Sequence, residues 1–439
     1  MVRAASAAQL ISSIADAGRE LLRRRLQRRR DILDLCRELL SVRGEASGTA
    51  LAREVVEAYR RLGAEERLAF FQSLRERFGV DGERLARALD SCRARPDFRN
   101  LQALRRAAEP PRQELFRRIN LAPDGTRAIV GMRADLLKLL PNHPELTEVD
   151  ADLLQLLSNW FNPGFLSLTR IDWNSPASLL EKIQRYEKVH AIAALENLKR
   201  RLAEDRRCFA FFHPALPDEP LIFVEVALTR GLADRIAPLV DQSAPVLPPR
   251  DADTAIFYSI NACQEGLRGV TLGSFLIKLV VAELQRELPH LRQFATLSPV
   301  PGFRRWLERT LAEGGLPARL HSLLESRIDR IEEEAGEDAE LSAALLALCA
   351  RYLVQEKEGE LPLDPVARFH LRNGARLERI NWAADRSSKG LRESFGIMVN
   401  YLYEPGRIER YHERFVEQGE VTHAAAVRTL LARLSRWED

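Results

Sequence analysis

Residues 257–284 read FYSINACQEGLRGVTLGSFLIKLVVAEL, and this stretch decides the fold class. Its opening residues, with TAI before them, are β-branched and aromatic, which predicts a strand ending near Ser259. A turn containing Gly266, Gly269 and Gly273 follows. The apolar spacing then switches to the helical period and keeps it through VTLGSFLIKLVVAELQREL. A strand, a glycine turn and a long helix in succession imply a domain that mixes α and β elements. Glycines at such a turn let backbone N–H groups approach an anion, and a helix start favours negative charge. Plain turn glycines are the alternative. The spacing is G-x-x-G-x-x-x-G, which is neither the dinucleotide fingerprint nor a Walker loop. Lys278 stands too deep in the helix to act as a Walker lysine.

Downstream, LRQFATLS reads as another strand, and Ser298 ends its apolar run. Pro299, Pro301 and Gly302 then lock the chain. A turn needs Pro and Gly but no hydroxyl before them. The bland reading of Ser298 is a cap for the next helix. Upstream, GFLSLTRIDW, RCFAFFH and PLIFVEVALT read as strands. SPASLLEKIQRYE predicts a helix with Ser175 as N-cap and Pro176 in its first turn. Towards the C-terminus, LSAALLALCARYLVQ and VTHAAAVRTLLARLSR read as helices, and ARLERINW and IMVNYLYE as strands. Residues 1–160 show only helical spacing, as in ALAREVVEAYRRLG and TRAIVGMRADLLKLL. The expected division falls near Asn159–Gly164. It separates an all-α bundle, 1–160, from an α+β domain with helical insertions, 161–439.

Composition narrows the function classes. The chain has 439 residues, 46% hydrophobic and 29% charged, ordinary values for a globular protein. A formal charge of +3 gives no field to draw nucleic acid or a membrane surface. The basic run Arg23–Arg30 lacks interleaved aromatics and keeps an apolar stripe through Leu22 and Leu26, so it reads as a solvated helix face. No apolar run approaches the roughly 18 residues of a membrane span. The N-terminal segment has some Arg and Ser character of a transit peptide, but Asp16 and Glu20 interrupt it. Five scattered cysteines without a CxxC pair suit a reducing, cytoplasmic compartment. The eight histidines show no paired ligand spacing, so no metal site is expected.

Four blocks carry a resemblance. SINACQEGLRGVTLGSFLIKLVVAELQRELPHLRQFATLSPVPGF, HPALPDEPLIFVEVALT, DPVARFHLRNGARLERINW and NYLYEP together resemble the malonyl-CoA decarboxylase family, in its order, from about residue 65 onward. The resemblance implies a helical N-terminal domain used in homo-oligomer contacts, in a dimer or tetramer. It also implies a catalytic domain of the GNAT acyltransferase fold. Acyl-CoA would lie between splayed strands there, its pyrophosphate on the turn of Gln264, Gly266, Leu267, Arg268, Gly269 and Gly273. The family's catalytic serine, histidine and tyrosine map onto Ser298, His370 and Tyr403. Thr271 stands where many members carry an acid, and a hydroxyl cannot tune a histidine as a carboxylate would.

The implied activity is a cofactor-independent carboxy-lyase that turns malonyl-CoA into acetyl-CoA and CO2. That reaction needs an oriented carboxylate, donors for a developing enolate, and an acid to protonate C2. A neutral serine hydroxyl suits the carboxylate, since a cation would over-stabilise the ground state. His370 would protonate C2. Backbone N–H groups near Ser298 or the Gln264 turn are candidates for the enolate. The competing expectation is an acyl-CoA-dependent N-acyltransferase on the same fold, in which Ser298 would be dispensable. A third is a non-catalytic helical scaffold.

Overall fold

The computed structural model describes residues 31–42, 44–270, 272, 276–325, 327 and 338–437. The basic run Arg23–Arg30, Thr271 and Gly273 lie outside the described residues. The chain forms two compact units. One runs to Trp160 and also takes in Glu265–Gly269; the other comprises Phe161–Gln264 and the chain from Val270.

The first unit is helical where it is described. Asp31, Asp81 and Asp97 cap their helices by accepting a backbone N–H near the helix start. Pro111 opens the helix Pro111–Ile119, where its missing N–H costs nothing. Phe71, Leu115, Phe116, Ile119, Leu136, Leu153 and Leu157 are sealed from solvent and form the packed interior. Arg112 and Gln113 both donate to the buried Asp152, at 2.5 Å each, so the carboxylate is satisfied. The hairpin of Gly82–Ala94 and Phe98–Ala108 is different. Ala107 is its only buried residue, and Phe98, Leu101 and Leu89 face solvent.

The second unit is built on one mixed sheet. Its strands are β1 (Ser167–Ile171), β2 (Arg206–Phe212), β3 (Ile222–Thr229), β4 (Thr254–Ala262), β5 (Gln293–Thr296), β6 (Ser298–Pro299), β9 (Arg376–Asn381) and β10 (Met398–Tyr403). β7 (Lys357–Glu358) and β8 (Leu361–Pro362) form a separate hairpin. The order is β1-β2-β3-β4-β5-β10-β6, with β9 also on β10. Every pairing is antiparallel except β4–β5. A parallel pair needs a crossover. The helix Leu276–Glu287 lies in that connection, as the α+β reading of residues 257–284 requires. The fold is α+β, with a helical N-terminal region and a mixed sheet.

β2 and β3 are buried at almost every position because apolar layers cover both faces. One layer joins Leu180, Ile183 and Leu198 to Cys208, Ala210 and Phe223. The other joins Ile236 and Leu239 to Ile256, Tyr258, Ala295 and Met398. Two local expectations are corrected. β4 runs on to Ala262, because β3 pairs with it as far as Ala262 opposite Ile222. Ser175 is not an N-cap: its Oγ accepts the Asp172 N–H at 3.0 Å, closing a turn before the helix Ala177–Tyr186. The β7–β8 hairpin is too short for periodicity to reveal.

A register shift between Glu225 and Val226 leaves Tyr258 as an extra residue in β4. Beside it Glu225, 1% exposed, pairs with Arg201, which is also buried. Burial still holds the Glu225 carboxyl up, at about 7. Breaking such a pair strands a charge in the interior, which costs about 3–5 kcal/mol. Arg201→Met is therefore expected to lower unfolding stability by an amount of that order in urea titrations. Arg201→Met combined with Glu225→Leu should recover most of it. An equal loss in both variants would mean that packing, not the stranded charge, sets the cost.

Candidate active site

Thr296 closes β5 and Ser298 opens β6, with Leu297 between them. Residues two apart on an extended chain share a face. Both hydroxyls therefore point the same way, and the Ser298 hydroxyl donates to Thr296 Oγ1 at 2.9 Å. Thr296 Oγ1 also accepts the Tyr401 N–H at 3.1 Å. Ser298 pairs with Val399 across β6–β10 and is 5% exposed. It does not cap the next helix, Phe303–Ala312: Gly302 occupies the cap position. A Cβ at Gly302 would collide with the Tyr352 hydroxyl, so the glycine lets the turn close onto that side chain.

His370 comes from the helix Pro365–Arg372. Asp364 starts this helix by accepting the Ala367 N–H at 2.8 Å, with Pro365 at the first position. The chain leaves it through Gly374 at φ +78°, packed against the Ile408 carbonyl. His370 Nε2 lies 3.0 Å from Ser298 Oγ, and Nδ1 lies 2.8 Å from the Tyr403 hydroxyl. The Tyr401 ring stacks on the imidazole at 4.6 Å between centroids and 25° between planes. Tyr401 and Tyr403 alternate along β10, so one strand supplies both contacts.

The donors fix a direction. With Ser298 donating to Thr296, its oxygen is left to accept from His370 Nε2–H. Nδ1 then accepts from the Tyr403 hydroxyl. The four side chains form one buried, uncharged relay. Burial holds His370 down at about 3, so its ring is neutral near pH 7. Burial likewise pushes the Tyr403 phenol well above its usual range.

Sequence reasoning singled out Ser298, His370 and Tyr403, and the structure brings all three together. It missed Thr296 and Asn400. The Asn400 amide donates to the Thr296 carbonyl at 2.7 Å and to the Ala233 carbonyl at 3.0 Å. Its oxygen accepts from Asn381 at 2.9 Å and Arg379 at 3.1 Å. The T-L-S spacing was the available signal for Thr296; for Asn400, inside a strand of tyrosines, there was none.

The glycine turn is described through Val270. Gln264 donates to the Pro220 carbonyl at 3.1 Å. Glu265–Leu267 form a single 3-10 turn in which Gly266 and Leu267 are buried. Arg268 is exposed, and Gly269 takes φ +85°. Among the described residues no three His, Cys, Asp or Glu side chains are grouped to hold a metal, and no helix is long and apolar enough to cross a membrane.

The fold and this site define an α+β protein with a sheet-borne serine hydroxyl hydrogen-bonded to a buried histidine. Residues 164–438 match the model of the malonyl-CoA decarboxylase C-terminal domain, and residues 78–161 that of its N-terminal domain. A mitochondrial malonyl-CoA decarboxylase of Rattus norvegicus is 38% identical over 380 residues, which span 77% of this chain and 76% of the rat protein. The crystal structure of malonyl-CoA decarboxylase from Rhodopseudomonas palustris superposes with TM-score 0.85 at 48% identity, covering 91% of this chain and 98% of that one. That from Agrobacterium vitis gives 0.85 at 47% identity, over 92% and 100%. The chain belongs to the malonyl-CoA decarboxylase family, a family of carboxy-lyases.

Burial of His370 has a consequence for folding that can be measured. Its folded pKa of about 3 lies below the ordinary value of 6.5. A depressed histidine contributes stability that is fully present above pH 6.5 and is lost as pH falls towards 3. Asp364, held up at about 6 by burial from its ordinary 3.8, works with the opposite sign between those two values. The difference between wild type and His370→Phe isolates the histidine. Wild type should lose stability relative to the variant by about 1.4 kcal/mol per pH unit below 6.5. Parallel stability curves from pH 7 to 5 would show that the ring is not held neutral.

Proposed function

We propose that this chain converts malonyl-CoA to acetyl-CoA and CO2, with Ser298 orienting the malonyl carboxylate and His370 protonating the carbon left behind. The buried contact of Ser298 Oγ with His370 Nε2 at 3.0 Å, extended by Tyr403 on Nδ1, carries the proposal. In the reaction the C2–carboxylate bond breaks and its electron pair passes into the thioester, forming an enolate. CO2 leaves, and C2 takes one proton, for a net uptake of one proton per turnover.

A neutral imidazole is a weak acid, so His370 must gain its acidic proton during the cycle. The arriving carboxylate supplies the negative charge that favours imidazolium. Once CO2 has gone, the same burial that depresses the histidine favours passing that proton to carbon. Ser298 would turn its hydroxyl from Thr296 to the carboxylate. Thr296 holds the serine oxygen in place before substrate arrives, and misplacement of about 1 Å can cost 100-fold in rate. Tyr403 keeps the imidazole in the tautomer with its proton on Nε2. Backbone N–H groups near Ser298 are the candidate donors for the enolate oxygen.

The acyltransferase alternative needs a general base able to take a proton from an amine. A histidine depressed to about 3 suits that task poorly. The five free cysteines support a reducing, cytoplasmic setting. Self-association of the 1–160 region is supported by the exposed Phe98, at 77%, and Leu101, at 51%. Phe98→Asp with Leu101→Asp should lower the sedimenting mass; an unchanged mass would place the contact elsewhere.

The decisive measurement is release of labelled CO2 from carboxyl-labelled malonyl-CoA without an acceptor. Wild type should release it, and Ser298→Ala and His370→Ala should each lose about 100-fold or more in kcat. Thr296→Val should lose about tenfold in kcat with little change in KM. In D2O the acetyl group formed should carry one deuterium. Acyl transfer to an amine without CO2 release would overturn the reading.

A further inference from the structure

Within the first unit, the helix Gly125–Leu139 holds the Glu265–Gly269 turn. Arg133, on that helix, is 2% exposed. Its Nη1 donates to the Gly266 carbonyl at 2.8 Å and to the Arg268 carbonyl at 2.7 Å. Its Nε donates to Asp150 Oδ1 at 2.8 Å, and Nη2 reaches Oδ2 at 3.4 Å. The carboxylate balances the buried charge, so the guanidinium acts on the turn through geometry. Gly266 lies flat against the same helix, and a Cβ there would run into the Val130 carbonyl.

The two bonds set the direction of the turn's other groups. In a trans peptide, a C=O and the N–H that follows it point to opposite sides. Carbonyls of Gly266 and Arg268 turned onto Arg133 therefore aim the N–H groups of Leu267 and Gly269 away from it. Leu267 lies inside the 3-10 turn, but the Gly269 N–H donates to no other described residue. Gly269 holds this orientation at φ +85°, which a side chain would strain. One face of the turn is thus pinned to a helix, and an outward N–H remains on the other for an anion.

We propose that Arg133 is a positioning residue for acyl-CoA, fixing the Glu265–Gly269 turn so that the outward Gly269 N–H meets the phosphates of the nucleotide end. The inference rests on the decarboxylase reading and deepens it. It gives a side chain of the 1–160 region a task in substrate binding, separate from self-association.

The test compares two thioesters, malonyl-CoA and S-malonyl-pantetheine, which lacks the nucleotide and its phosphates. In Arg133→Gln, KM for malonyl-CoA should rise about tenfold or more while kcat stays within about twofold. kcat/KM for malonyl-pantetheine should not change. Gly266→Ala forces the turn off the Val130 carbonyl and should show the same split, which covers the case that Arg133→Gln does not fold. Equal losses on both thioesters, or an unchanged KM for malonyl-CoA, would overturn the role of Arg133. If wild type releases CO2 from neither thioester, the decarboxylase reading fails instead. Calorimetric binding of CoA to wild type and Arg133→Gln then decides the turn by itself: weaker binding supports the inference and equal binding overturns it.

Discussion

A single hydrogen bond, from His370 Nε2 to Ser298 Oγ, joins residues 72 apart in the sequence. Its geometry depends on β10. That strand pairs with β5 and β6, which end in Thr296 and begin at Ser298, and with β9 on its other side. It also carries Tyr401 and Tyr403, the two rings that hold the imidazole by stacking and by a hydrogen bond. Slipping β10 by one residue would turn both tyrosines to the opposite face. The Asn400 amide, donating to the Thr296 carbonyl, opposes such a slip. The helix Pro365–Arg372 and the Pro-Val-Pro-Gly turn then need only present one side chain each to a surface already fixed.

Burial does more than exclude water. It removes the solvent that would let His370 charge in the free protein, and it leaves each polar atom of the relay dependent on its neighbour. The cost is visible nearby. Asp364 has one oxygen on the Ala367 N–H, while Oδ2 has no hydrogen-bond partner among the described residues. Burial raises its pKa to about 6. Only a well-packed surround sustains such groups. Phe303 and Trp306 stack, and the Tyr352 ring packs tilted against both, beside the turn that follows Ser298.

Much of this architecture was legible because the strands around the site are rich in β-branched and aromatic residues and the helices are amphipathic. β2, β3, β9 and β10 fall where periodicity puts them. The strand, glycine turn and helix of residues 257–284 indicated the mixed class. Ser298, His370 and Tyr403 were found through ordered motifs, not through local physics: alone, each would pass as a cap or a core residue. What stayed hidden was decided by contacts distant in sequence. Thr296 gains its meaning from Ser298 and Tyr401, and Asn400 from β5 and β9. Gly266 read as a plain turn glycine, with an anion turn as the other reading. Its close packing on Val130, far earlier in the chain, could not be read locally. Ser175 misled because a Ser-Pro pair before a helix fits both a cap and a closed turn.

The chain is rich in arginine, yet among the described residues no Lys or Arg donates to Ser298, His370, Thr296 Oγ1 or Tyr403. One link to a cation runs through the Asn400 amide, whose oxygen takes the Arg379 guanidinium while its nitrogen serves the Thr296 carbonyl. This insulation suits the chemistry. A cation against the malonyl carboxylate would stabilise the charge that must be lost from it, and only stabilisation that grows towards the transition state raises the rate. On the proposed reading, a hydroxyl in a neutral relay would orient the carboxylate without holding it. Elsewhere in the same unit arginines are buried readily, as Arg200 is against Asp205 and Arg201 against Glu225. The fold thus tolerates buried cations, and their absence from the relay is a property of the site itself.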